Sequence, residues 1–101
     1  DAGATGTMPS ALIPDLILRV VEAHRVGDRE AAARHYDRIL PLINYENLQC
    51  GLGGTKFIMK KGGVIRSDHV RHPVTPLDPV LRAELLELTR QVEPLVLRWG
   101  L

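Results

Sequence analysis

A chain of 101 residues, 45% of them apolar, carries enough apolar side chain for the core of one domain. Thirteen Lys and Arg against twelve Asp and Glu leave a net charge of +1, which removes the electrostatic case for nucleic acid or a membrane surface as partner, since both need clustered surplus positive charge. Cys50 is the only cysteine, so no intrachain disulfide can form, and no apolar run approaches the roughly 20 residues that cross a bilayer. A reducing, cytoplasmic setting is expected. The chain opens Asp1-Ala2-Gly3 without an initiator methionine or a basic-then-apolar leader, as a processed protein, a trimmed one or a fragment does.

Taken in chain order, Gly3-Ala4-Thr5-Gly6-Thr7-Met8-Pro9-Ser10 is too short for a helix, and its two glycines and proline predict a short strand running into a loop. From Pro14 the apolar residues Ile13, Leu16, Ile17, Val20 and Val21 fall at helical spacing, and Gly27 offers a left-handed stop. Asp28 then caps a second helix with Ala32, Tyr36, Ile39, Leu40 and Ile43 on one stripe. Pro41 inside that stripe has no N–H to donate four residues back, so the helix is expected to bend or restart there. A third helix fits residues 55–61, closed by Gly62-Gly63, after a flexible connection through Gly51, Gly53 and Gly54. Residues 64–77, with Pro73 and Pro76, read as an extended connector. Asp78-Pro79 starts the last helix with a capping side chain and a proline at its first position, and Leu81, Leu85, Leu88, Val92, Val96 and Trp99 form its stripe. The expected fold class is mostly α: one short strand, then four helices. A single strand cannot make a sheet, so the sheet it belongs to must be completed elsewhere or the strand frays.

Most chemistry-bearing residues have a structural reading. Lys56, Lys60 and Lys61 are the only lysines. They lie on a helix, and cations near its C-terminus suit the negative end of the macrodipole. His69 and His72, beside Asp68, lie in a proline-bearing connector without a third ligand, and His24 and His35 read as solvated helix residues, so no metal site is expected. In Gly51-Leu52-Gly53-Gly54-Thr55-Lys56 the threonine precedes the lysine, the reverse of a phosphate-binding loop, and the spacing of Gly3 and Gly6 does not make a dinucleotide fingerprint. Cys50 has no basic neighbour in sequence and reads as a buried or half-buried thiol.

The first segment nonetheless resembles the eighth barrel strand of the dihydrodipicolinate synthase and N-acetylneuraminate lyase family, and the elements after it keep that family's order. Ala23-His24-Arg25-Val26-Gly27-Asp28 with Ala31-Ala32 resembles the junction after helix eight, and Leu40-Pro41-Leu42 the "L-x-P-L" of the next helix. Thr55-Lys56 followed by Gly62 resembles the "K…G" of the third, and Val70-Arg71-His72-Pro73-Val74-Thr75-Pro76-Leu77 the "R-x-P-x-x-P-L" connector. The resemblance implies a C-terminal part of a (β/α)8 barrel, with residues 1–27 as last strand and helix and residues 28–101 as a helical extension. It implies a parent enzyme whose strand-six lysine condenses with pyruvate or a 2-keto acid to an iminium electron sink, in a homo-oligomer and with no added cofactor. The catalytic lysine, the relay tyrosine and the carboxylate-binding loop of that family fall outside these residues, so the isolated chain is expected to be inactive. Barrel enzymes build their sites at the C-terminal ends of the strands, which makes Met8 and Ser10 the substrate-binding candidates. The Met-Pro-Ser version of this end resembles the branch acting on 2-keto-3-deoxy sugar acids. The alternative from another class is a non-catalytic helical module that self-associates through its apolar stripes.

Overall fold

The structure, a computed structural model, describes residues 2–93. Four α-helices, α1 (Pro14–Arg25), α2 (Arg29–Tyr45), α3 (Gly51–Lys61) and α4 (Pro79–Val92), follow an extended lead-in, and a π-helical turn (Glu46–Cys50) joins α2 to α3. The mostly α expectation holds. The short strand does not: residues 2–10 form no strand, because no second strand exists among the described residues to take up their backbone N–H and C=O groups. They run extended and exposed until Ser10 is half-buried, and the chain then drives Leu12 and Ile13 into the core.

Local signals account for the ends of α1, α2 and α4. Gly27 takes φ +81°, a conformation that a side chain would strain, and lets the chain reverse after α1. Asp28 caps α2 by accepting from the Ala31 N–H at 2.9 Å, and Asp78 caps α4 by accepting from Val80 at 2.8 Å with Pro79 in the first turn. In α2, Ala32, Ile39 and Leu42 are buried, whereas Tyr36, expected on the same stripe, is exposed. Pro41 neither restarts nor interrupts the helix as expected. It lies on the exposed side of α2, and the departure from α geometry comes later, at Glu46–Cys50, where a widened i→i+5 turn redirects the chain.

The connection expected through Gly51, Gly53 and Gly54 is instead the first turn of α3, which begins at Gly51 rather than at Thr55. Of these glycines, Gly54 allows close approach. Gly51 has φ +58°, and Gly53 and Gly54 are buried where α3 meets the connector and α4. Gly62 and Gly63 close α3 as expected, the Gly62 N–H returning to the Ile58 carbonyl at 2.8 Å.

The connector after α3 is held down by charge. Lys60 Nζ lies 2.8 Å from Asp68 and the Arg82 guanidinium 3.9 Å, the Lys56 ammonium donates to the His69 carbonyl, and Arg82 Nε donates to the Leu77 carbonyl at 3.0 Å. The hydrogen bond from Lys60 holds the Asp68 carboxyl below its ordinary range. Arg82 also lies 5.3 Å from the Phe57 ring centre, a cation–π arrangement.

One core joins all four helices to the lead-in. Leu12, Ile13, Leu16, Ile39, Leu42, Phe57, Ile58, Leu85 and Val92 are buried together, and Ile17, Val20 and Leu88 pack on them half-buried. The stripes of α1 and α4 contribute Leu16, Leu85 and Val92 to that core. Val96 and Trp99 lie outside the described residues. The Tyr45 hydroxyl donates to Glu84, which ties α2 to α4 and, with burial adding to it, pushes the phenol up to about 12.

Candidate functional site

Met8 and Ser10 occupy the end of the lead-in. Met8 is 97% exposed, so its thioether touches almost nothing in this chain. Ser10, two residues on, is fixed from two sides. Its Oγ donates to Glu46 Oε1 at 2.6 Å and accepts from the Leu12 N–H at 3.0 Å. The two residues are thus neighbours in sequence with opposite surroundings, one free and one tethered.

The tether is a carboxylate that sequence reasoning did not single out. Glu46 opens the π-helical turn and is only 3% exposed. A buried carboxylate needs hydrogen-bond donors to offset its lost hydration. It has two hydroxyls, because Thr55 Oγ1, in the second turn of α3, donates to the same Oε1 that Ser10 reaches. A signal for Glu46 did exist. Spacings of three and four carry the buried stripe from Ile39 to Leu42 to Glu46, so a charged residue stands where the periodicity demands an apolar one.

The arrangement restricts what Ser10 does. A carboxylate only accepts, so the hydroxyl proton of Ser10 is committed to Glu46, and one lone pair of Oγ is taken by Leu12. What remains toward solvent is an acceptor. Ser10 is therefore set to receive a hydrogen bond from a hydroxyl or ammonium group.

Cys50 sits at the end of the same turn, half-buried. Burial, and then the negative charges of Glu46 and Glu84, push its thiol up, so it stays protonated at neutral pH. Alkylation of Cys50 at neutral pH is expected to be several-fold slower than that of a free thiol and to accelerate as pH rises through the raised pKa. A rate equal to that of a small free thiol would show that the side chain is neither desolvated nor faced by carboxylates. The three lysines do not converge on this site: Lys56 and Lys60 hold the connector, and Lys61 lies 5.9 Å from the Phe57 ring centre. Among the described residues no group of three His, Cys, Asp or Glu is arranged to hold a metal ion, and no helix is long and apolar enough to cross a membrane.

Fold and site define a mostly α segment whose helices grip an extended lead-in through one buried carboxylate. The chain belongs to the dihydrodipicolinate synthetase family, whose model matches residues 1–92. It is 49% identical over 99 residues to the L-2-keto-3-deoxyarabonate dehydratase of Azospirillum brasilense, a match that takes in 98% of this chain and 32% of that protein. It also resembles the crystal structure of dihydrodipicolinate synthase from Rhodopseudomonas palustris, with a TM-score of 0.82 and 36% identity over 88% of this chain and 30% of that one. The chain therefore spans about a third of the length of these relatives. The family expected from the sequence motifs is the family found.

Proposed function

We propose that the chain serves as the C-terminal segment of a Schiff-base-forming lyase of this family, a dehydratase acting on a 2-keto-3-deoxy sugar acid. Residues 1–27 supply the last strand and helix of a (β/α)8 barrel, and residues 28–101 its helical extension. The observation that carries this reading is the 49% identity, maintained over 98% of the chain, to a dehydratase of such a substrate. The exposed lead-in agrees with it. Among the described residues, 2–9 have no backbone hydrogen-bond partner, and inside a barrel the neighbouring strands would take up their hydrogen bonds.

In this reading the lysine that condenses with the keto group lies outside these residues, and its iminium draws electrons from the bond to be broken. This chain contributes the rim. Met8 offers an apolar surface beside the iminium, and Ser10 an acceptor for a hydroxyl of the sugar acid. Assembly as a homo-oligomer and a cytoplasmic setting belong to the same reading.

Borohydride reduction in the presence of pyruvate tests it. The 101 residues alone should give no stoichiometric adduct, whereas a polypeptide carrying them behind the family's barrel should give one adduct per chain, on a lysine outside this segment. An adduct on Lys56 of the isolated chain would overturn the reading. In the longer polypeptide, Met8→Phe should lower kcat/KM for L-2-keto-3-deoxyarabonate by about tenfold or more by crowding the rim, with thermal stability unchanged. Unchanged kinetics in that variant would remove Met8 from the site.

A further inference from the structure

We infer that Glu46 is a positioning residue for substrate binding: acting through Ser10, it makes the helical extension a working part of the site rather than a structural appendage. The inference rests on the function proposed above and deepens it. Three observations carry it. Glu46 is 3% exposed, so its carboxylate takes no part in binding solvent or partners directly. Its Oε1 accepts from Ser10, 36 residues away in sequence, and this contact crosses from the extension to the rim. Thr55 donates to the same oxygen, so the Ser10 hydroxyl meets an acceptor already held in place.

The consequence is geometric. A free serine hydroxyl rotates among staggered positions and presents donor or acceptor to whatever approaches. Here rotation is stopped, the proton points into the protein and the remaining lone pair points away from Glu46. Hydrogen bonds to a charged acceptor are among the stronger ones, so this orientation resists thermal averaging. A substrate hydroxyl reaching the rim then finds an acceptor already oriented. Without Glu46 the serine turns, and the same substrate group meets a donor part of the time. This effect differs from loss of packing, because it acts on one hydroxyl and is felt only by substrates long enough to reach it. Pyruvate, which has no carbons beyond its methyl, lacks the group that Ser10 would recognise.

The experiment compares wild type, Glu46→Leu, which removes the acceptor at similar volume, Ser10→Ala and the double variant in a polypeptide that carries the barrel with this segment. The expected result is a rise of about tenfold in KM for L-2-keto-3-deoxyarabonate in each single variant, with kcat within about twofold, since the lost contact is made in ground and transition states alike. The double variant should be no worse than the poorer single one, because both substitutions break one interaction. Borohydride trapping of pyruvate should proceed at the wild-type rate throughout. Wild-type KM in Glu46→Leu or in Ser10→Ala, or losses that multiply in the double variant, would overturn the inference. If Glu46→Leu fails to fold, Glu46→Asp, which keeps the charge but withdraws the carboxylate from Ser10 by one methylene, takes its place with the same expected rise in KM. Absence of pyruvate trapping in the wild type would instead sink the proposed function, a separate readout from the KM series.

Discussion

Gly54→Ala should destabilise this segment by about 2 kcal/mol net, whereas Gly53→Ala, one position earlier on the same helix, should be neutral or stabilising by up to about 1 kcal/mol. Composition and helix propensity treat the two glycines alike. The structure separates them. A Cβ on Gly54 would lie 2.4 Å from the Cβ of Cys50 and 2.9 Å from Cδ2 of Leu85, while a Cβ on Gly53 would meet nothing closer than Leu77 Cβ at 3.8 Å. The first clash is with an atom attached directly to backbone, so relief requires the π-helical turn to open or α3 to move off α4. Overpacking of this kind typically costs about 1–3 kcal/mol or more, and the gain of about 1 kcal/mol from replacing a helical glycine offsets only part of it. In a domain of this size the net loss should appear as a fall of roughly 10 °C in Tm. Thermal melts of the two variants side by side decide the matter: equal Tm values would mean that α3 does not approach Cys50 and Leu85 as closely as the structure has it.

That pair also shows where sequence reading stops. The ends of α1, α2 and α4 were legible because each carries a signal that acts locally: Gly27 at positive φ, Asp28 and Asp78 as side-chain caps, Pro79 in a first turn. The start of α3 was not. Glycines are breakers by propensity, and nothing within a few residues says that these continue a helix, or that Gly54 stands where α3 closes on Leu85 of α4. Nor does any local pattern announce a π-helical turn, whose geometry depends on how the helices on either side are packed. The strand expected in the lead-in is not formed, for a related reason. Gly3 to Ser10 has the composition of a strand, but a strand is a relation between two segments, and its partner is not among the described residues.

The site divides in the same way. Met8 and Ser10 are candidates through family resemblance alone, since nothing in their own chemistry singles them out in the sequence. Glu46 needed three dimensions, because the residues that make its burial tolerable, Ser10 and Thr55, stand 36 and 9 positions away. The residue that escaped the sequence reading is therefore the one that ties Ser10 to the turn after α2.

Leu12 is the mechanical counterpart of that connection, and Leu12→Ala should cost about 3 kcal/mol, or roughly 15 °C in Tm. The side chain is fully buried beside Ile13 and Leu16 and belongs to the same core as Ile39 and Leu42 of α2, so truncation leaves a cavity that surrounding helices close only in part. Met8→Ala is the control. At 97% exposure in this chain it should change stability by less than about 0.5 kcal/mol. The Leu12 effect should also be local in a way that a generic core truncation is not, because the Leu12 N–H is the second partner of Ser10. With the side chain no longer seated, the backbone at Leu12 is free to lift, and Ser10 loses the support opposite Glu46. Amide exchange at Leu12 should then accelerate by more than the drop in global stability explains, while Ile39 and Leu42 of α2 exchange in proportion to that drop. Equal acceleration at all three amides would mean that the lead-in opens only when the whole core does, and that Leu12 anchors the fold without specifically anchoring Ser10.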